Sequence, residues 1–147
     1  MLKHLLILLT LAMSTATFNV NAEQSKVFGD YTVHFSAFTT DLLSPKVAKL
    51  YRIPRSRNRA LLNISVLKKV MNTLGSPVKA NIHATATNLS SQLRELKMRE
   101  LNEDGATYYI AETTVNNEET LKYTLTITPV GATETYTFSF HQQFFTE

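Results

Sequence analysis

Residues 78–87, Val-Lys-Ala-Asn-Ile-His-Ala-Thr-Ala-Thr, predict the fold class of the chain. Apolar side chains occupy every second position, and polar side chains occupy the positions between them. Successive side chains of a β-strand point to opposite faces, so this alternation predicts a strand with one buried and one solvated face. Such a strand needs a second layer to cover its apolar side.

Similar patterns recur along the rest of the chain. Strands are predicted for residues 31–37, 60–67, 107–115, 121–128 and 136–141, and for a segment that starts at about residue 93. Short turns join these segments, and short turns favour antiparallel pairing. The sequence therefore predicts an all-β fold: a single antiparallel β-sandwich with an immunoglobulin-like layout and about seven strands.

One short helix is predicted after the first of these strands. Ser44 is a suitable N-cap, and Pro45 follows it at the first helical position. The helix is expected to end at Ile53-Pro54, since the residue before a proline avoids helical angles. Residues 89–101 fit a helix by composition, but the hairpin-type loop at residues 102–105 favours a strand there.

The first 22 residues have the layout of a secretory signal peptide. A basic start is followed by an apolar run over residues 5–13 and by small residues before Ala22. This run is shorter than the roughly 20 apolar residues of a membrane-spanning helix. The sequence predicts periplasmic export, cleavage after Ala22, and one β-sandwich domain over residues 23–147 without a stable membrane span.

Composition excludes several kinds of chemistry. The chain contains no cysteine, so thiol catalysis, thiolate metal sites and disulfides are ruled out. No nucleophile elbow, phosphate loop or metalloprotease helix is present in the sequence. We therefore predict a non-enzymatic protein with no catalytic residue, no metal site and no cofactor.

Charge is divided unevenly along the chain, although the formal net charge is only +3. Residues 42–94 contain ten basic residues and no acidic one, whereas residues 95–147 contain nine acidic and three basic residues. A guanidinium group can bind two oxygens of a phosphate or carboxylate at once. If the segment is extended, Arg55, Arg57 and Arg59 lie on the same side of it. The candidate anion- or partner-binding residues are Lys46, Lys49, Arg52, Arg55, Arg57 and Arg59.

Two interpretations of the basic segment 46–59 stay open. It could bind an anionic envelope component or another periplasmic protein, while the signal peptide argues against nucleic acid as the partner. Alternatively, the basic block could pair with the acidic second half of the chain, or its arginines could hold loop carbonyls.

The favoured function is a non-catalytic binding or adaptor module that uses this segment. One alternative is a small envelope hydrolase or metal-dependent enzyme, which requires two of His34, His83 and His141 to converge with a carboxylate. The other is a chaperone or structural protein that adds strands at an exposed sheet edge.

Several motifs resemble those of a domain-of-unknown-function family of short exported proteins, mainly from gammaproteobacteria. They are Phe28-Gly29-Asp30-Tyr31, Tyr51-Arg52-Ile53, Tyr108-Tyr109-Ile110, the closing residues 138–145 and, most specifically, Asn58-Arg59-Ala60-Leu61-Leu62-Asn63-Ile64-Ser65. The resemblance extends over nearly the whole predicted mature chain. It implies periplasmic export and one all-β domain, and it implies no activity, cofactor or catalytic residue.

Overall fold

The computed structural model describes residues 24–147, so the predicted signal peptide and its cleavage site lie outside the described residues. Ten strands and one α-helix lie within this range. In chain order the elements are β1 (Gln24–Phe28), β2 (Tyr31–Thr39), a 3₁₀ turn (Thr40–Leu42), α1 (Pro45–Tyr51), β3 (Arg59–Lys68), β4 (Ser76–Pro77), β5 (Ala80–Asn88), β6 (Leu93–Leu96), β7 (Arg99–Glu103), β8 (Ala106–Thr114), β9 (Thr120–Pro129) and β10 (Tyr136–Gln143). No helix within residues 24–147 is long and apolar enough to cross a membrane.

The strands form two antiparallel sheets. The six-stranded sheet has the order β1-β2-β3-β8-β7, with the short β4 beside β3, and the four-stranded sheet has the order β10-β9-β5-β6. One cluster of buried side chains draws on both sheets. The predicted all-β, antiparallel sandwich is confirmed, with ten strands instead of about seven.

Alternation along the strands builds the core between the sheets. In β9, the inward side chains Leu121, Tyr123, Leu125 and Ile127 are fully buried. Phe35 of the opposite sheet extends the core, with its ring centroid 4.9 and 4.6 Å from those of Phe138 and Phe140, respectively. Burial of one such side chain contributes about 1.5–3 kcal/mol, so a disulfide-free domain can be held by packing.

Three strands depart from the prediction. β1 lacks an apolar alternation and pairs with β2 through a two-residue turn, in which Gly29 has a φ of 55°. β4 spans two residues only. The segment predicted as one strand from residue 93 is two strands, because β6 pairs with β5 in one sheet and β7 pairs with β8 in the other. The chain therefore crosses between the sheets at residues 97 and 98.

Local sequence features determine the hairpin between β7 and β8 and the two ends of α1. Asp104 and Gly105 connect β7 to β8 with φ angles of 47° and 81°, as a type I′ turn requires. The Ser44 hydroxyl accepts the Val47 N–H at 3.2 Å and caps α1. The helix ends at Tyr51, earlier than predicted, because Arg52 adopts a left-handed conformation with a φ of 56°.

Arg94 joins the sheets near the end of β8 through a hydrogen bond and also makes an ion pair. Arg94 of β6 lies with Nη2 2.5 Å from Glu119 Oε1, and its Nη1 donates to the Thr114 carbonyl at 2.7 Å. Burial raises the pKa of the Glu119 carboxyl, but hydrogen bonds from the Asn116 N–H, Asn88 and Arg94 outweigh burial and lower the pKa below its ordinary value. The ionised carboxylate is therefore the form that stabilises the fold.

This ion pair predicts an acid-side loss of stability. A carboxyl whose pKa is lower in the folded state stabilises the protein above its unfolded pKa, and that contribution is lost as the pH falls through the folded pKa. We expect the free energy of unfolding to fall less between pH 7 and pH 3 in Glu119→Gln than in the wild type, as measured by urea titration. The control is Glu134→Gln on an exposed loop, which should follow the wild type. An unchanged pH dependence in Glu119→Gln would contradict this role.

Candidate functional site

The connector between α1 and β3, residues 52–58, is held by the buried side chain of Thr40, which is 0% exposed. The Thr40 hydroxyl lies 2.7 Å from the Pro54 carbonyl and 3.2 Å from the Ser56 carbonyl, and it accepts the Ser56 N–H at 2.9 Å. A hydroxyl is both a donor and an acceptor, so one side chain serves backbone groups on both sides of Arg55. The connector is thereby fixed to the end of β2.

The same connector places an apolar plug on the outer face of the six-stranded sheet. The Ile53 N–H donates to the Ala48 carbonyl at 2.8 Å, which folds the chain back over α1. The Ile53 side chain is 5% exposed and packs with Leu61 and Ile110 in a second apolar cluster. Helix and connector therefore cover part of a face that would otherwise be solvated.

Three of the six predicted binding residues have internal partners. Arg55 Nη2 donates to the Asp41 backbone carbonyl at 2.7 Å, and Arg57 Nε lies 3.8 Å from Asp41 Oδ2. Arg59 Nη1 lies 3.2 Å from Glu112 Oε2 on the sheet. A turn at Arg57 interrupts the segment, so the three guanidinium groups do not lie along one extended strand and do not converge on one ligand position.

The other three predicted residues lie on α1 and its C-terminal cap. Lys46, Lys49 and Arg52 are exposed, and within residues 24–147 their side chains have no ion pair or hydrogen bond. Leu50 lies among them and is 62% exposed. We call Lys46, Lys49, Leu50 and Arg52 the α1 basic surface.

Elsewhere, basic side chains of the first half pair with acidic side chains of the second half. Lys79 Nζ lies 2.8 Å from Glu100 Oε1, and the hydrogen bond from Lys79 lowers the pKa of the Glu100 carboxyl. The Arg94–Glu119 pair follows the same pattern. Lys79, Arg94 and Arg59 thus make the internal pairs that the structural interpretation of the basic block expects.

Two concave surfaces of the six-stranded sheet were not predicted from the sequence. The first, which we call the groove, has a volume of about 170 Å³; its lining includes Val47, Tyr51, Ile53, Leu61, Leu101, Glu103 and Ile110. The Tyr51 hydroxyl donates to the Glu103 carboxylate across it, and this hydrogen bond raises the pKa of Tyr51 to about 12. The groove is formed by elements that are far apart in the sequence. The apolar face of α1 is the one part of it that the sequence indicates.

The second surface, which we call the notch, has a volume of about 440 Å³ and is lined by Arg59, Lys97, Met98, Arg99, Ile110, Ala111 and Glu112. Lys97 and Arg99 are exposed, and neither side chain makes an ion pair or hydrogen bond in the described part of the chain. Both residues belong to the acidic half of the sequence. The acidic composition of that half gives no sign of a cationic site. Lys97 and Arg99 lie near Arg59 only because the chain crosses between the sheets at this point.

The three histidines lie on different surfaces. His34 is on the outer face of the six-stranded sheet, whereas His83 and His141 are on the outer face of the four-stranded sheet, on strands separated by β9. His83 Nε2 lies 2.9 Å from Glu95 Oε2. Within residues 24–147 no group of three or more histidine and acidic side chains could hold a metal ion. The convergence that the enzyme alternative requires is not found there.

The Thr40 hydroxyl gives a direct test of how the connector is held. Thr40→Val keeps the shape of the side chain but leaves the Pro54 and Ser56 backbone groups without their partner. We expect a loss of about 2–4 kcal/mol in the free energy of unfolding, measured by urea titration. Thr39→Val, at the neighbouring position, is the matched control and should change this free energy by less than about 0.5 kcal/mol. Equal effects of the two substitutions would show that Thr40 does not hold the connector.

Comparison with known proteins agrees with this architecture. A solved structure of a DUF4426 family protein from Pseudomonas aeruginosa is 31% identical, with a TM-score of 0.73 over 85% of this chain and 96% of that chain. FetP from uropathogenic Escherichia coli, expressed in the periplasm, is 12% identical, with a TM-score of 0.59 over 84% of this chain and 94% of that chain. A copper-bound FetP variant is similar, also at 12% identity, with a TM-score of 0.56 over 84% of this chain and 95% of that chain.

At this identity the FetP structures show a shared fold alone. No curated protein matches the sequence. The family model for the domain of unknown function DUF4426 matches residues 25–147, which is nearly all of the described chain. The resemblance noted in the sequence is thus confirmed, and the chain belongs to the DUF4426 family.

Proposed function

We propose that this protein is a non-catalytic binding module of the periplasm that docks on an anionic lipid surface through the α1 basic surface. The observation that carries this proposal is the division of the basic segment 46–59. Arg55, Arg57 and Arg59 have internal partners, while Lys46, Lys49 and Arg52 have none among the described residues. A cation without an internal partner can bind an external anion without breaking a contact of the fold.

The composition of the α1 basic surface favours lipid over an isolated anion. Leu50 is exposed between the cations, so an apolar side chain can enter the headgroup region while its neighbours contact phosphates. Each lysine or arginine near an anionic membrane contributes about 1 kcal/mol. The predicted signal peptide directs the chain to a compartment where phosphates of phospholipids and lipopolysaccharide are the abundant surface anions.

The fixed connector supports this proposal through preorganisation. Ile53 and the Thr40 contacts hold α1 in one position on the sheet. The three cations are therefore presented on a rigid support, and binding does not have to order the helix first.

The test is sedimentation of the purified protein with vesicles of phosphatidylglycerol mixed with phosphatidylcholine. The triple variant Lys46→Gln, Lys49→Gln, Arg52→Gln should bind at least about tenfold more weakly than the wild type, because three headgroup contacts are lost. The matched control is Lys68→Gln, Lys69→Gln, Lys122→Gln, which removes the same charge elsewhere and should bind like the wild type.

Two outcomes would contradict the proposal. One is equal weakening in the two triple variants, which would mean that net charge alone drives binding. The other is absence of wild-type binding to these vesicles at low salt. If soluble polyglutamate binds while vesicles do not, the α1 basic surface recognises an acidic protein and lipid docking is wrong.

A further inference from the structure

The groove and the notch form one continuous track. Ile110 lines both of them. Arg99 of the notch is the cross-strand partner of Ile110, and Leu101 of the groove lies two residues further along β7 on the same face. The apolar groove therefore adjoins the cationic notch, since Leu101 and Arg99 are separated by about the spacing of two residues along a strand.

The notch carries more positive than negative charge. Its single carboxylate, Glu112, is paired with Arg59. Lys97 and Arg99 have no counter-charge within residues 24–147. The notch therefore offers two uncompensated cations to an anionic group, and one of them is an arginine that can bind two oxygens at once.

The groove offers an apolar floor with an open edge. Its floor includes Ile53, Leu61 and Ile110, which are 5%, 3% and 4% exposed. Val47 of α1 lines the groove and is 37% exposed, so the helix side of the groove is accessible from solvent. An acyl chain lying in the groove would cover both the apolar floor and the Val47 side chain of α1.

The polarity of the track sets the orientation of a ligand. The Glu103 carboxylate lies beyond Leu101 on β7, on the side away from the notch, and would repel a second negative group there. An anionic group is thus favoured at the notch alone. This pattern fits a molecule with one anionic head and one apolar tail better than it fits a molecule charged at both ends.

We propose that the groove and the notch together bind a single-chain anionic amphiphile, with its acyl chain beside α1 and its carboxylate or phosphate head at Lys97 and Arg99. This site is independent of the proposed membrane docking, because it uses none of the residues of the α1 basic surface. Carboxylate and phosphate heads share the chemistry that two cations recognise, and the probes below separate them.

The test is calorimetric titration below the critical micelle concentration. The probes are dodecanoate, dodecyl phosphate, uncharged dodecyl maltoside, and inorganic phosphate as a head group alone. We expect saturable binding of one anionic amphiphile per chain, with dodecyl maltoside and inorganic phosphate each bound at least about tenfold more weakly. Tighter binding of dodecyl phosphate would assign a phospholipid-type ligand, and tighter binding of dodecanoate would assign a fatty acid.

Two variants locate the binding. Val47→Trp should fill the groove and weaken both anionic amphiphiles at least about tenfold, and Leu101→Asn is the second groove variant if Val47→Trp lowers the unfolding midpoint. Lys97→Gln, Arg99→Gln should weaken the anionic amphiphiles to the level of dodecyl maltoside. Lys122→Gln is the charge control and should bind like the wild type.

The proposal is overturned if no anionic amphiphile binds saturably, or if folded groove variants bind like the wild type. The triple variant Lys46→Gln, Lys49→Gln, Arg52→Gln separates this site from membrane docking. It should keep wild-type affinity for dodecanoate even though its vesicle binding is weakened. A parallel loss of both would show that the amphiphile binds at the α1 basic surface and not in the groove.

Discussion

The Thr40 hydroxyl makes the contacts on which the α1 basic surface and the groove depend. It is buried at the end of β2 and bonds to backbone groups at both Pro54 and Ser56. Without it the connector would have to satisfy these groups in water, and Ile53 would not be held over the outer face of the sheet. Together with the Ile53–Ala48 hydrogen bond, this buried side chain sets the position of α1 and the wall of the groove.

Because the connector is fixed, the basic residues of segment 46–59 fall into two groups, those with internal partners and those without. Arg55 and Arg57 contact Asp41, the residue after Thr40 in the 3₁₀ turn, and help to hold the connector in place. Arg57 makes a surface ion pair, which contributes only about 0–1 kcal/mol, and Arg55 donates to a backbone carbonyl. These contacts accompany those of the Thr40 hydroxyl and do not replace them. The cations left over on α1 are then free to act outward, which is why the proposed docking surface is smaller than the basic segment.

Side-chain periodicity predicted the parts of the fold that depend on local pattern. The alternation in residues 78–87, the Asp104-Gly105 turn and the Ser44 cap each encode their own structure. β1 was missed because an edge strand with exposed side chains needs no apolar alternation. The split of residues 93–103 was missed because both halves are extended, and only the choice of partner sheet distinguishes them.

The candidate site was predictable only in part. The sequence identified six basic residues but could not distinguish those with an internal partner from those without one. Arg59 pairs with Glu112, which is distant in the sequence, so no local pattern marks it as paired. Lys97 and Arg99 escaped notice among acidic neighbours, because the notch exists only where the chain changes sheets. Contacts between residues far apart in sequence decide both features.

Native-state amide hydrogen exchange at Ser56 measures directly whether the connector is fixed. The Ser56 N–H donates to the Thr40 hydroxyl, and the Val115 N–H donates to the Asn58 carbonyl at the other end of the connector. If the connector is fixed, the Ser56 amide should be protected to a similar degree as the Val115 amide. Exchange at Ser56 at the rate of an exposed loop, with Val115 protected, would show that the connector is mobile and that Thr40 does not fix it.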